Sequence, residues 1–132
     1  MLGLAVALQA VPYGHDHANP KTTADAPWST PAARSLAVSA CYDCHSNRTN
    51  WRWYSFVAPV SWVVQNHVQE GRDRLNFSEW DRRQRLDDVD ESIREGSMPP
   101  SYYRLVHAGA RLSASEKAEL IRAVEALPRP GR

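Results

Sequence analysis

The run Cys41-Tyr42-Asp43-Cys44-His45 brings two thiols and an imidazole into five consecutive residues. Two thiols three positions apart can add to the two vinyl groups of one haem, and a His directly after the second Cys then falls under the iron as proximal ligand. Three other readings stand beside this one. A thioredoxin-like dithiol wants a βαβ setting, which the chain lacks. A zinc site needs about four ligands, so the thiols would have to recruit the distant His67 and His107, His45 being too close in sequence for the usual spacing. The third is chance. These are the only two cysteines, and a disulfide between them would close too short a loop to staple a fold, so a framework of structural disulfides is excluded.

Six-coordinate iron needs a second axial ligand, for which the chain offers Met98, His67, His107, His15 and His17. Met98 is the only methionine besides Met1 and lies in Gly-Ser-Met-Pro-Pro, a loop stiffened by two prolines that can hold a soft thioether rigidly. The competing reading is a gap-filling side chain beside the last helix. His67 falls on an apolar helical stripe and reads as a satisfied core residue, and as the first substitute for Met98. His107 reads as hydrogen-bonded within its loop, and His15 and His17 sit in a linker. A flat apolar ring with two carboxylates needs bulky neighbours and a few donors. Trp51, Trp53, Tyr54, Phe56 and Trp62 are the candidates to cover it, with Arg48 or Arg52 for a propionate; plain core packing is the alternative for this cluster. Tyr102 and Tyr103 are expected to hydrogen-bond near Met98.

These residues must be positioned by a single small domain. The chain has 132 residues, and its net charge of +1 gives no field of one sign to hold nucleic acid. A hydrophobic share of 42% with 23% charged residues fits a soluble globular protein, and nine Pro, six Gly and five Trp point to short helices joined by irregular segments. The apolar start MLGLAVALQAVP is shorter than the roughly 20 residues of a membrane span and lacks the basic residues of a secretory signal. It reads as the tail of a longer apolar helix or as a short amphipathic segment packing on the domain. Pro12 to Pro31 reads as an extended linker. Helix one is predicted from Pro31 to Cys41. A second follows Pro59, with Val60, Val63, Val64, His67 and Val68 as its stripe and Gly71 as its stop. A third is capped by Asn76 or Ser78 and runs through Glu79 to Glu95 with Trp80, Leu86, Val89 and Ile93 buried, and Gly96 ends it. Ser97 to Gly109 reads as a loop with some local turn structure. A capping box, Ser113 with Glu116, opens a last helix with Ala118, Ile121, Val124 and Leu127 inward. The expected fold is all-α: residues 1–28 form an N-terminal apolar segment and linker, 29–128 the domain, and 129–132 a tail.

The order of motifs resembles a bacterial haem-binding domain family. The carrying residues are CYDCHSNRTNWRWYSFVAPVSWVVQNHVQEGRDRLNFSEW and EGSMPPSYYRLVH, within a match from about Val11 to Leu127; Arg52 stands where that pattern has Pro. The resemblance implies a cytochrome c-like small helical domain of about four helices wrapped around one covalent haem c. It also implies Cys41 and Cys44 as attachment sites, His45 as proximal and Met98 as distal ligand, and a periplasmic or outward-facing location with an N-terminal membrane anchor, here cut short. The leading expectation is a monohaem electron carrier with a transient redox partner protein and no nucleic acid. The alternative is a haem-based sensor or peroxidase-like enzyme in which Met98 leaves the iron and His67 or Tyr102 serves the open position.

Overall fold

The computed structural model describes residues 2–130. Over that span the protein is all-α, with helices α1 (Leu2–Gln9), α2 (Pro31–Ala40), α3 (Tyr42–His45), α4 (Val60–Arg74), α5 (Val89–Glu95), α6 (Ser101–Val106) and α7 (Ala114–Glu125), and short 3₁₀ turns at Trp53–Phe56 and Ala108–Ala110. Among the described residues the only β pairing is a single bridge between Ala24 and Glu79. Helices beyond the four expected are short ones.

The helices with legible ends form where the sequence predicts. Thr30 Oγ1 accepts the Ala33 amide at 3.1 Å and Pro31 opens α2, whose Ala33, Ala37 and Ala40 form a small-residue face that lets α7 pack closely. Both halves of the Ser113–Glu116 capping box form, and α7 buries Leu120, Ile121, Ala123 and Val124. With Phe77, Tyr42, Trp80, Leu86, Ile93 and Leu127 these make the core. Burial of such side chains, worth roughly 1.5–3 kcal/mol each, makes this crossing of α2, α5 and α7 the frame for everything else.

Four expectations need correction. Gly71 does not stop its helix: α4 runs on to Arg74, and Gly71 is needed inside it because a Cβ there would collide with the Cys44 carbonyl oxygen. The buried face of α4 is Ser61, Gln65, Val68 and Gly71, while Val60 and Val63 are 47% and 51% exposed; the face packs against α3, the 3₁₀ turn and linker backbone, where small and polar side chains fit. The third helix forms only as α5. Before it, Asn76 and Ser78 are not caps but join Gln84 in a buried network: Asn76 N donates to Gln84 Oε1 (2.8 Å), Asn76 Nδ2 to Asn47 Oδ1 (2.8 Å), Ser78 N to Asn76 Oδ1 (2.9 Å) and Gln84 Nε2 to Glu79 O (2.7 Å). Side chains that satisfy backbone groups this way remove the need for helical bonds. Trp80, Leu86 and Ile93 are buried nonetheless. Finally, part of the expected loop is helical, as α6.

The linker is irregular but not loose. The amides of Thr23 and Ala26 donate to Ser78 O (3.0 Å) and Phe77 O (2.8 Å), Trp80 N donates to Ala24 O (2.8 Å), and Trp28 Nε1 donates to the Tyr42 hydroxyl (2.9 Å). α1 leaves Leu4 and Val6 64% and 67% exposed rather than packing them on the domain, and is tied by Gln9, whose amide exchanges hydrogen bonds with the Ala58 backbone. Among the described residues no helix is long and apolar enough to cross a membrane. In the tail, Arg129 reaches Asp87 at 3.4 Å, and residues 131–132 lie outside the described residues.

Candidate functional site

After α2, Cys41 takes a non-helical conformation (φ −125°, ψ −36°) and α3 restarts at once, with His45 N donating to Cys41 O at 2.8 Å. That turn sends Cys41, Cys44 and His45 into one cavity of about 400 Å³. α4 contributes His67, Glu70, Gly71 and Arg74; the core contributes Phe77, Ile93, Leu120 and Val124; Met98, Pro99, Pro100, Tyr102 and Tyr103 add a further stretch, and Arg85, Asp87 and Asp88 are also part of the lining. The volume lies in the range of about 300–1,000 Å³ usual for small-molecule and cofactor sites.

His45 is held in one orientation. Its Nδ1 lies 3.0 Å from Gly71 O and 3.1 Å from Leu75 O. Carbonyl oxygens only accept, so Nδ1 carries the proton and Nε2 keeps its lone pair, the state of a metal-ligating imidazole. Burial pushes the His45 pKa down, opposed by those two hydrogen bonds, with nearby Arg74 adding a smaller downward push. Around it Phe77 N donates to His45 O (2.8 Å), Arg72 Nε donates to Ser46 O (2.8 Å) and Ser46 Oγ donates to Tyr42 O (2.6 Å).

The thiols are free. Burial, then the neighbouring Cys44, pushes Cys41 up to about 12; burial, then Asp43, pushes Cys44 up to about 11. Both therefore stay protonated near neutral pH, the opposite of what a reactive redox dithiol requires. The zinc reading lacks a ligand set: among the described residues no group of three His, Cys, Asp or Glu converges to hold an ion.

Met98 lines the cavity and is 43% exposed, its amide donating to Ser92 O at 3.0 Å. Gly96 (φ 76°) turns the chain out of α5, and Pro100 directs it into α6. His67 is on the cavity and not in the core; its Nδ1 and the Tyr102 hydroxyl are 2.6 Å apart and the rings are stacked. Tyr103 donates to Asp43 Oδ2 at 2.7 Å, and burial together with that carboxylate pushes its phenol up.

The aromatic cluster lies elsewhere. Trp51, Trp53, Tyr54, Phe56 and Trp62 do not line this cavity. Trp51 and Phe56 pack on His17, with ring centroids 4.9 and 4.1 Å away, and His17 Nε2 lies 2.7 Å from Ser55 O. Tyr54 Oη meets His107 Nε2 at 2.8 Å, Trp53 is 78% exposed, and Trp62 sits against Gly14. Trp51, Phe56 and Trp62 thus cover the linker. Arg48 pairs with Asp25 at 3.2 Å, and the cations on the cavity are Arg74 and Arg85. The signal that finds Arg74 is helical spacing, since His67, Glu70, Gly71 and Arg74 share one face once the helix is carried past Gly71. Arg85 had no such signal, because it lies in the irregular segment.

The residues present suit a haem. They bring a neutral imidazole with a free Nε2, two thiols beside it, a thioether, an apolar wall and two guanidiniums able to meet carboxylates. Comparison with known proteins agrees: the profile of the haem-binding domain family matches residues 3–126, from α1 through α7. No curated protein and no solved structure matches the chain.

Proposed function

The chain belongs to the haem-binding domain family, and on that premise we propose that it is a monohaem c-type cytochrome that carries electrons, with haem covalently held through Cys41 and Cys44 and ligated by His45 and Met98. The observation that carries this reading is His45: it follows Cys44 directly, and two backbone carbonyls hold its Nδ1 while Nε2 stays free in the cavity that Met98 also lines. When bound, haem supplies a one-electron couple between ferrous and ferric iron. Each side chain then has a defined task. The two thiols give thioether bonds, His45 gives a neutral nitrogen donor, and Met98 gives a soft donor that favours the ferrous state and raises the potential. Phe77, Ile93, Leu120 and Val124 exclude water, which works in the same direction, and Arg74 and Arg85 are the partners for propionates.

With His45 and Met98 both held by the iron no position would be left for a substrate, so the proposed role is that of a carrier with a transient redox partner protein rather than an enzyme. The resemblance extends the proposal to location, periplasmic or outward-facing on the cytoplasmic membrane, with exposed Leu4 and Val6 of α1 as the membrane contact. The test is an absorption spectrum of protein made in a host with c-type haem maturation. A six-coordinate low-spin spectrum with the weak far-red ferric band of sulfur ligation is expected. A high-spin ferric spectrum overturns the His45/Met98 assignment.

One observation favours a second reading. Met98 is half exposed, and the hydrogen-bonded His67–Tyr102 pair lines the same cavity, a polar group in place if Met98 leaves the iron. In that reading the protein is a haem-based sensor or peroxidase-like enzyme. Carbon monoxide shifting the spectrum of the reduced native protein would favour it; no shift would favour the carrier.

A further inference from the structure

Charge is divided unevenly along this nearly neutral chain. Residues 70–95 hold nine carboxylates against six arginines, while residues 26–69 hold Arg34, Arg48 and Arg52 against the single carboxylate of Asp43. The fold gathers those three arginines in one cleft, of about 610 Å³, together with Val38, Val106 and Tyr103. The carboxylates nearby do not cancel them. Asp25 is shared between Arg34 (3.5 Å) and Arg48 (3.2 Å), which remain 41% and 45% exposed, and the Asp43 carboxylate is covered by the Tyr103 hydroxyl and the Asn50 amide.

The cleft runs onto α6, a helix that fully buries none of its residues. Tyr102 is 51%, Leu105 74% and Val106 64% exposed, and Val38 within the cleft is 41% exposed. Guanidinium groups beside exposed apolar and aromatic side chains are the composition of a protein interface, not of an ordinary solvated surface. The cleft also adjoins the haem cavity through a single layer of side chains, because Asp43 and Tyr103 line both, and Asp43 stands between the two cysteines.

We propose that this cleft and the outer face of α6 form the docking surface for an acidic protein partner, whose carboxylates meet Arg34, Arg48 and Arg52 and whose apolar side chains cover Leu105 and Val106. That the partner is a redox protein rests on the electron-carrier reading above; the docking surface itself does not. Three arginines gathered in one cleft of a nearly neutral chain orient such a partner on approach, with the apolar side chains adding contact once it arrives.

The experiment titrates haem-loaded protein with a synthetic peptide of alternating Glu and Leu, and with its Lys-for-Glu counterpart, at low and physiological ionic strength. The Glu peptide is expected to bind, more weakly as salt rises. Its affinity should fall about fivefold or more in Arg34→Gln/Arg48→Gln/Arg52→Gln and in Leu105→Ser/Val106→Ser. It should stay within about twofold in the charge-matched control Arg83→Gln/Arg94→Gln/Arg122→Gln. Equal losses in the two arginine triples, or equal binding of the Lys peptide, overturn the proposal. So does a dimer in light scattering that Leu105→Ser abolishes, which gives the face to a second copy, or sedimentation with phosphatidylglycerol vesicles that the cleft triple abolishes, which gives it to lipid. Oxidation of the reduced protein by ferricyanide separates the two readings. Peptide binding as expected with no oxidation leaves the docking surface standing and removes the carrier, and rapid oxidation with a failed peptide arm does the reverse.

Discussion

His45 reaches the cavity from a segment tied on every side, whereas Met98 reaches it from one fastened at a few points, its own amide on Ser92 O among them. Around His45, α4 lies so close to α3 that Gly71 has no room for a Cβ, two carbonyls fix the imidazole, and the fully buried Asn47, Asn76 and Ser78 knit the following backbone. Around Met98, the helix that follows has no fully buried residue, and its tertiary hydrogen bonds run through Tyr103 to Asp43 and Tyr102 to His67. The difference is between packing, which resists displacement in every direction, and latches, which give when one bond is lost. The His45 side of the cavity is therefore rigid and the Met98 side lightly held.

The largest expected effects lie on the rigid side. Cys41→Ala together with Cys44→Ala is expected to abolish covalent attachment, and haem surviving acid–acetone extraction from that variant would refute the thioether assignment. His45→Ala should leave even less haem, since the proximal bond also orients the ring; the pyridine haemochrome yield measures it. Next comes Gly71→Ala. Its methyl group meets the Cys44 carbonyl, so the apo-protein should lose about 1–3 kcal/mol in urea unfolding, and holo-protein yield should fall with it. An unchanged midpoint would mean that the two helices have slack.

On the latched side the fold should barely notice. Met98→Ala, at a half-exposed position, is expected to cost about 1 kcal/mol or less of stability, keep haem attached, lower the potential and let carbon monoxide bind. An unchanged spectrum and potential would remove Met98 from the iron. The smallest effect on the haem spectrum is expected from Tyr103→Phe, which takes one of the donors from the Asp43 carboxylate at a stability cost of about 1 kcal/mol. Its signature should be a weakened far-red band with His45 ligation intact. Equal damage to both ligands would erase the distinction between the two sides.

Legibility followed the same division. CxxCH, the caps of α2 and α7 and the Gly96 stop were readable because each rests on residues within one turn of one another. What lay hidden depends on partners far apart in sequence. The Asp43–Tyr103 bond spans 60 positions, and the Asn76–Gln84–Asn47 network looks in sequence like helix caps before a charged helix. The tryptophans announced burial against something, but their type carries no address. Trp51 and Trp62 meet the linker, Trp28 and Trp80 pack with the core, Trp53 is exposed, and the cavity is left to Phe77 and the aliphatic side chains of α5 and α7.

The Gly71 carbonyl accepts twice, from the Leu75 amide at 2.9 Å, closing the last turn of α4, and from His45 Nδ1 at 3.0 Å. Fraying of that turn would shift both carbonyls that hold the imidazole, Gly71 O and Leu75 O. Hydrogen–deuterium exchange at the Leu75 amide therefore reports how firmly their support is held, readable from the polypeptide alone.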